Sequence, residues 1–97
     1  MFVLVTYDID TRGGKLDLKR MRDVSKYCEK HGIRVQNSVF EMNFDYSSFL
    51  FFKQELNSRI DINRDSVRYY ILGNSPDNRI EVSGRNDSIN VRSALIF

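Results

Sequence analysis

The run Phe2-Val3-Leu4-Val5-Thr6-Tyr7 is continuously aliphatic, aromatic or β-branched, and it ends on the carboxylate of Asp8. Such a run marks a strand covered on both faces, which places it at the centre of a sheet. Asp8 then stands where that strand leaves the sheet, ahead of the turn-forming stretch Ile9 to Gly14 and a helical segment rich in Lys and Arg. Carboxylate oxygens suit a hard cation such as Mg²⁺, and nearby cations suit a polyanion. Asp8 is therefore the best metal-ligand candidate, and chemistry on phosphates is the function class it suggests.

The chain has 97 residues, enough for one small domain that buries only about 60 to 65% of its unfolded surface. A net charge of +2 and a pI near 8.8 do not by themselves indicate nucleic acid, so the placement of the cations has to decide. A single cysteine, Cys28, excludes an internal disulfide, and no signal segment or apolar run of about 18 residues is visible. These features set the expectation of a reduced, cytoplasmic setting with no membrane role.

Helical spacing predicts a helix from about Lys15 to His31, with Gly32 as a left-handed C-cap. Ile33 to Phe44 reads as one long strand, with Val35 and Val39 on one side and Phe40, Met42 and Phe44 on the other. Asp45 or Ser47 is placed to cap a second helix whose stripe of Phe49, Phe52, Leu56 and Ile60 is widened by Leu50 and Phe51. Ser66 to Leu72 follows as a strand, then a loop, then a short strand near Arg79 to Val82. The expected class is α+β, a ferredoxin-like βαββαβ sandwich with both helices on one sheet face. Residues 1–82 form that domain. Residues 83–97 are a tail whose apolar end, Ala94 to Phe97, suits an added edge strand on the same sheet or on a partner's. Because the strands carry apolar groups on both sides, a homodimer packed through the open sheet face is the simplest cover.

Lys15, Lys19, Arg22, Lys26 and Lys30 share one face of the first helix and make a stripe about 22 Å long. It is either a solvated face or a track for phosphates, and Asp8, Arg12 and the Gly13-Gly14 loop beside it favour nucleic acid. Asp10 either joins Asp8 on a divalent cation or closes the turn through an Asx-type bond, with Asp8 paired to Arg12 or another cation. Several motifs carry no chemistry. Arg12-Gly13-Gly14-Lys15-Leu16 lacks the spacing of a phosphate-binding loop, His31 reads as a partner of the helix dipole, and Cys28 reads as core. Of Tyr69 and Tyr70, alternation puts one inside.

Four segments carry a resemblance: Leu4 to Ile9, Lys19 to Val24, Gly32 to Glu41 and Asp65 to Tyr70. Together they resemble the CRISPR-associated Cas-two family of small spacer-acquisition proteins, over nearly the whole chain. Arg34-Val35-Gln36-Asn37-Ser38-Val39-Phe40-Glu41 is the most specific of them, and the closing Leu95-Ile96-Phe97 is similar to members from type I, subtype C systems.

The resemblance implies a ferredoxin-like homodimer that associates with CRISPR integrase dimers and supports a short DNA duplex. It implies that Asp8 is the metal-binding aspartate, with one Mg²⁺ shared across the dimer two-fold, and it gives Asp10 no role. For family members described as nucleases, it implies hydrolysis of phosphodiesters in RNA or DNA by metal-activated water. Ser38 and Phe40 fall at positions beside the family's site, where Ser38 is expected to bond a phosphate or water and Phe40 to shape the groove. Strand packing is the competing explanation for both. Arg12, Lys15, Lys19, Arg20, Arg22, Lys26 and Arg34 are the expected nucleic-acid contacts, and Arg20, Arg22 and Arg34 hold phosphate rather than transferring protons, since guanidinium stays protonated. The alternative function is a non-catalytic scaffold that bridges integrase dimers through bound DNA. An RNA-recognition module fits less well, because the aromatic strand motif used to stack bases is missing.

Overall fold

The run that opens the chain becomes the inner strand of the sheet. In the computed structural model, which describes residues 1–74 and 79–84, the order is β1 (Phe2–Asp8), α1 (Lys15–His31), β2 (Gly32–Gln36), β3 (Val39–Asn43), α2 (Tyr46–Asn57) and β4 (Ser66–Gly73). β1 pairs antiparallel with β3 on one side and β4 on the other, giving the sheet order β2-β3-β1-β4. This is the ferredoxin-like α+β arrangement expected from the sequence.

Alternation along the strands separates two faces. Val3 and Val5 sit opposite Met42 and Phe40 of β3, and Val3, Val5 and Tyr7 sit opposite Ile71, Tyr69 and Val67 of β4. The helices cover this face, with Val24, Tyr27 and Cys28 of α1 and Phe49, Phe52 and Leu56 of α2 completing the core. Leu4 and Thr6 lie on the second face and are only half-buried, and Tyr70, paired with Leu4, is 45% exposed. One chain thus covers one side of its sheet.

Four expectations need correction. Ile33 to Phe44 is not one strand but a hairpin, because Asn37 and Ser38, both good turn formers, break it into β2 and β3. Arg79 to Val82 forms no strand; it is short, mostly exposed and unpaired among the described residues. Gly32 is extended rather than left-handed, and it begins β2 directly at the end of α1. A side chain there would overlap Met42 and the carbonyl of Glu41, so close packing is what the missing Cβ permits. Leu50 and Phe51 do not widen the buried stripe of α2, since they are 46% and 60% exposed. The expected strand at Ala94 to Phe97 lies outside the described residues.

The caps explain where the helices start. Gly14, at φ 103°, turns the chain into α1 in a conformation other residues rarely adopt. Asp45 begins α2 by accepting a hydrogen bond from the Ser48 N–H at 2.7 Å. Within the core, Phe52 joins the two helices to the end of β3, with ring centroids 5.2 Å from Tyr27, 5.3 Å from His31 and 5.0 Å from Phe44. Phe52→Ala is expected to lower the unfolding free energy by about 3 to 5 kcal/mol. Urea denaturation monitored by circular dichroism checks this, and a loss below about 1 kcal/mol would contradict the role given to the ring.

Candidate nucleic-acid and metal site

The parity of β1 decides where Asp8 goes. With Tyr7 buried beneath the helices, the next side chain is sent to the opposite face, at the last rung of the ladder opposite Ser66. Asp8 is exposed, and no ion pair or hydrogen bond involves its side chain among the described residues. It lines a shallow cleft of about 330 Å³ with Ile9, Asp10, Thr11, Arg12 and Arg64. The Tyr7 N–H donates to the Ser38 carbonyl at 3.1 Å, which brings the β2–β3 turn beside the strand end. The Tyr7 hydroxyl donates to the Asn37 carbonyl at 3.3 Å and also contacts Ser25 Oγ, fastening that turn to α1.

Ser38 is therefore a turn residue near Asp8, not part of a strand. Phe40 is fully buried and stacks on Tyr7 at a centroid distance of 6.1 Å, so its side chain packs the core and does not line a groove. Arg34 lies 5.2 Å from the Phe40 ring centroid and pairs with Glu29 at 2.8 Å.

Asp10 follows the quieter of its two readings. Its Oδ1 accepts from the Arg12 backbone N–H at 3.0 Å and from Arg12 Nε at 2.9 Å, while Oδ2 takes Arg12 Nη2 at 2.8 Å. Arg64 Nε adds a contact at 3.5 Å. The Arg12 side chain, then its backbone N–H and Arg64, hold the Asp10 carboxyl well below the usual carboxylate range. Arg12 thus pairs with Asp10 and not with Asp8, and Asp10 is no free metal ligand.

Beneath this loop lies a network that the spacing of the sequence does not announce. The Asp65 side chain is fully buried and accepts four hydrogen bonds. Arg20 Nε and the Asp61 N–H reach Oδ2 at 2.7 and 2.8 Å, and Arg20 Nη2 and the Asp10 N–H reach Oδ1 at 3.0 and 2.9 Å. Burial alone pushes its carboxyl up, but Arg20 and the two backbone donors outweigh that and leave it lowered. Asp17 accepts from Arg20 Nη1 at 2.8 Å, from Arg64 Nη1 at 2.9 Å and from the Gly13 N–H at 2.7 Å. Arg64 and Arg20 hold its carboxyl well below the usual range. The i to i+3 spacing of Asp17 and Arg20 is visible in the chain, but nothing in it signals that Arg64 and Asp65 pack against them from 45 or more residues away.

The cations accordingly fall into two sets. Lys15, Lys19, Arg22, Lys26 and Lys30 are all exposed along one side of α1, and no ion pair holds them among the described residues. Lys19, Arg22 and Lys26 line an open groove with Leu16, Arg20 and the acidic Asp23. Arg20 differs from its neighbours, being turned inward to Asp65 and Asp17 with a side chain only 17% exposed. Cys28 is buried, with its thiol pushed up to about 12 by desolvation, which is the property of a core residue and not of a nucleophile. His31 stacks at 4.7 Å from the Tyr27 centroid. Partial desolvation, then Lys30 and Arg59, lower its pKa, while the residue stays exposed in the last turn of α1.

Whether a metal fits can be judged from the donors. The exposed carboxylate of Asp8 is right in kind for Mg²⁺, yet no group of three His, Cys, Asp or Glu side chains able to hold an ion occurs among the described residues. One carboxylate from each of two copies, with water completing the shell, matches what Mg²⁺ accepts. No helix among the described residues is long and apolar enough to cross a membrane.

Comparison with known proteins converges on one family. The profile of CRISPR associated protein Cas2 matches residues 1–80. The chain is 46% identical to the CRISPR-associated endonuclease Cas2 of Halalkalibacterium halodurans, with all of both chains covered. It is 40% identical to a CRISPR-associated endoribonuclease Cas2 of Rhodospirillum rubrum, covering 98% of this chain and 99% of that one. Among solved structures, Streptococcus pyogenes Cas2 at pH 6.5 superposes with a TM-score of 0.74 at 43% identity, covering 87% of this chain and 100% of that one.

The lowered carboxylates fix the sign of an acid response. Asp10, Asp17 and Asp65 bind protons less readily when folded than when unfolded, so their stabilisation is complete above the unfolded value near 3.9 and is lost as pH falls below it. Urea midpoints measured from pH 7 to pH 3 are expected to fall most steeply below about pH 4. Asp65→Asn, which removes one of these titrating groups, is expected to shrink the difference between pH 7 and pH 3.

Proposed function

The chain belongs to the CRISPR associated protein Cas2 family, and from that membership we propose that it is a metal-dependent endonuclease that hydrolyses phosphodiester bonds in RNA or DNA and takes part in acquiring new CRISPR spacers. The observation that carries the reading is Asp8, a carboxylate without an ion pair or hydrogen bond among the described residues, at the end of the inner strand in a cleft it shares with Arg12 and Arg64. The names of the relatives as endonuclease and endoribonuclease support it.

In this reading two chains pack through their open sheet faces and bring their Asp8 carboxylates to one Mg²⁺. When bound, that ion neutralises charge on the phosphate and makes its water more acidic. The protein's own part is to bind and orient. Lys15, Lys19, Arg22 and Lys26 hold the phosphate backbone along α1, and Ser38 stands at the strand end where its hydroxyl reaches a phosphate or water. Arg12 and Arg34 are exposed enough to add phosphate contacts at the expense of their partners Asp10 and Glu29. The reaction takes place in the cytoplasm, beside the CRISPR integrase.

A second reading, a non-catalytic scaffold that grips duplex DNA between integrase dimers, is favoured by the α1 stripe. It spans about 22 Å with no acidic partner bonded to it among the described residues, a length that suits several phosphates of a duplex. Asp8→Asn separates the two readings, since it removes charge while keeping shape. The nuclease reading expects Mg²⁺-dependent oligonucleotide cleavage to fall to background in this variant, with the unfolding midpoint unchanged; cleavage that survives would remove Asp8 from the metal. No cleavage by the parent protein, together with lost spacer integration in the variant, would favour the scaffold. Neutralising Lys19, Arg22 and Lys26 to Gln together is expected to weaken duplex binding and to lower its salt slope by about 0.9 for each phosphate the helix no longer neutralises. Filter binding across a salt series measures this, and an unaltered slope would exclude the stripe.

A further inference from the structure

Arg20 borders the cationic groove of α1, but its guanidinium is turned inward and its side chain is only 17% exposed. We propose, resting on the reading of Asp8 as the metal-holding carboxylate, that Arg20 is a positioning residue: with Asp65 it clamps the backbone at Asp10 and thereby sets where Asp8 stands, instead of gripping phosphate itself. Its guanidinium directs Nε and Nη2 to Asp65, Nη1 to Asp17 and Nη2 also to the Asp10 carbonyl at 3.1 Å. These bonds occupy four of the five N–H donors a guanidinium has. Lys19 and Arg22, on either side of it, remain exposed.

The clamp acts on one short stretch of chain. The Asp10 N–H goes to Asp65 Oδ1, and the Asp10 carbonyl accepts from both Arg20 and Arg64. Asp10 lies two residues beyond Asp8, and Asp65 directly precedes Ser66, the residue that faces Asp8 across the ladder. Asp8 is therefore fixed from two sides, by the strand pair and by the buried ion pair next to it. Arg20 delivers two bonds to one carboxylate in a planar fork, a geometry lysine does not reproduce. A displacement of about 1 Å at a reacting group is enough to cost about a hundredfold in rate, so a clamp of this kind has leverage on chemistry that it does not touch.

The test uses the full chain and three variants: Arg20→Lys, Asp65→Asn, and the double variant Arg20→Gln with Asp65→Asn, which removes both charges together so that neither is left buried alone. Arg22→Gln supplies the scale for removal of one surface cation. Three quantities are read: kcat and KM for Mg²⁺-dependent cleavage of an oligonucleotide, the salt slope of its binding, and hydrogen exchange at the Asp10 amide by NMR, all well below the unfolding temperature. Each of the three variants is expected to lower kcat by about tenfold or more with KM unchanged, and to speed Asp10 exchange by a similar factor. The double variant is expected to keep the parental salt slope, whereas Arg22→Gln lowers it. A slope lowered in the double variant as much as in Arg22→Gln would make Arg20 a phosphate ligand and overturn the proposal. Parental exchange at Asp10 in Asp65→Asn, or faster exchange with kcat intact, would overturn it equally. If the parent shows no cleavage, the nuclease reading fails by itself, and slope and exchange still decide whether Arg20 anchors the loop or grips phosphate.

Discussion

The alternation of β1 is the constraint from which the rest of the molecule follows. Burying Val3, Val5 and Tyr7 under two helices commits Leu4, Thr6 and Asp8 to the other face, since neighbouring side chains on a strand point opposite ways. A slip of one residue would exchange the core for the site. The same rungs that hold Val3 against Met42 and Ile71 hold Asp8 against Ser66, so the packing that stabilises the fold also aims the carboxylate.

Two kinds of electrostatics coexist in α1. On its outer side the cations stand in water, where pairing would bring little stability and leaving them unpaired preserves attraction for a polyanion. On its inner side Arg20 meets Asp65 and Asp17 out of water, where removing either partner would leave a charge without compensation. Residue type alone does not distinguish these roles. Arg20 and Arg22 are two positions apart, and only the direction each side chain takes relative to the sheet separates anchor from surface.

Much of this was legible in the chain. The central strand, the limits of α1, the cap at Asp45 and the buried stripe of Phe49, Phe52 and Leu56 follow from local patterns, because each is decided by neighbours within a few residues. The hairpin at Asn37 and Ser38 was obscured because the apolar alternation of Ile33 and Val35 resumes at Val39 straight after the turn, which made two strands look like one. Phe40 shows the limit of inference from resemblance: a position beside a site is also a position in the core, and burial here assigns it to the core. The network around Asp65 was not legible, since it joins segments 45 or more residues apart and carboxylates of this kind are ordinarily on the surface. Asp8 stood out for the opposite reason, as a charge placed at the end of the most apolar run in the chain.

The junction of α1 and β2 has a mechanical meaning. His31 closes the helix and Gly32 opens the edge strand with no residue between them, so the two elements share a joint without slack. The hairpin that carries Ser38 begins where the helix ends, and it is stitched to β1 through Tyr7. The basic helix and the carboxylate end of the inner strand are therefore tied to each other by the chain itself and by the hydrogen bonds at Tyr7.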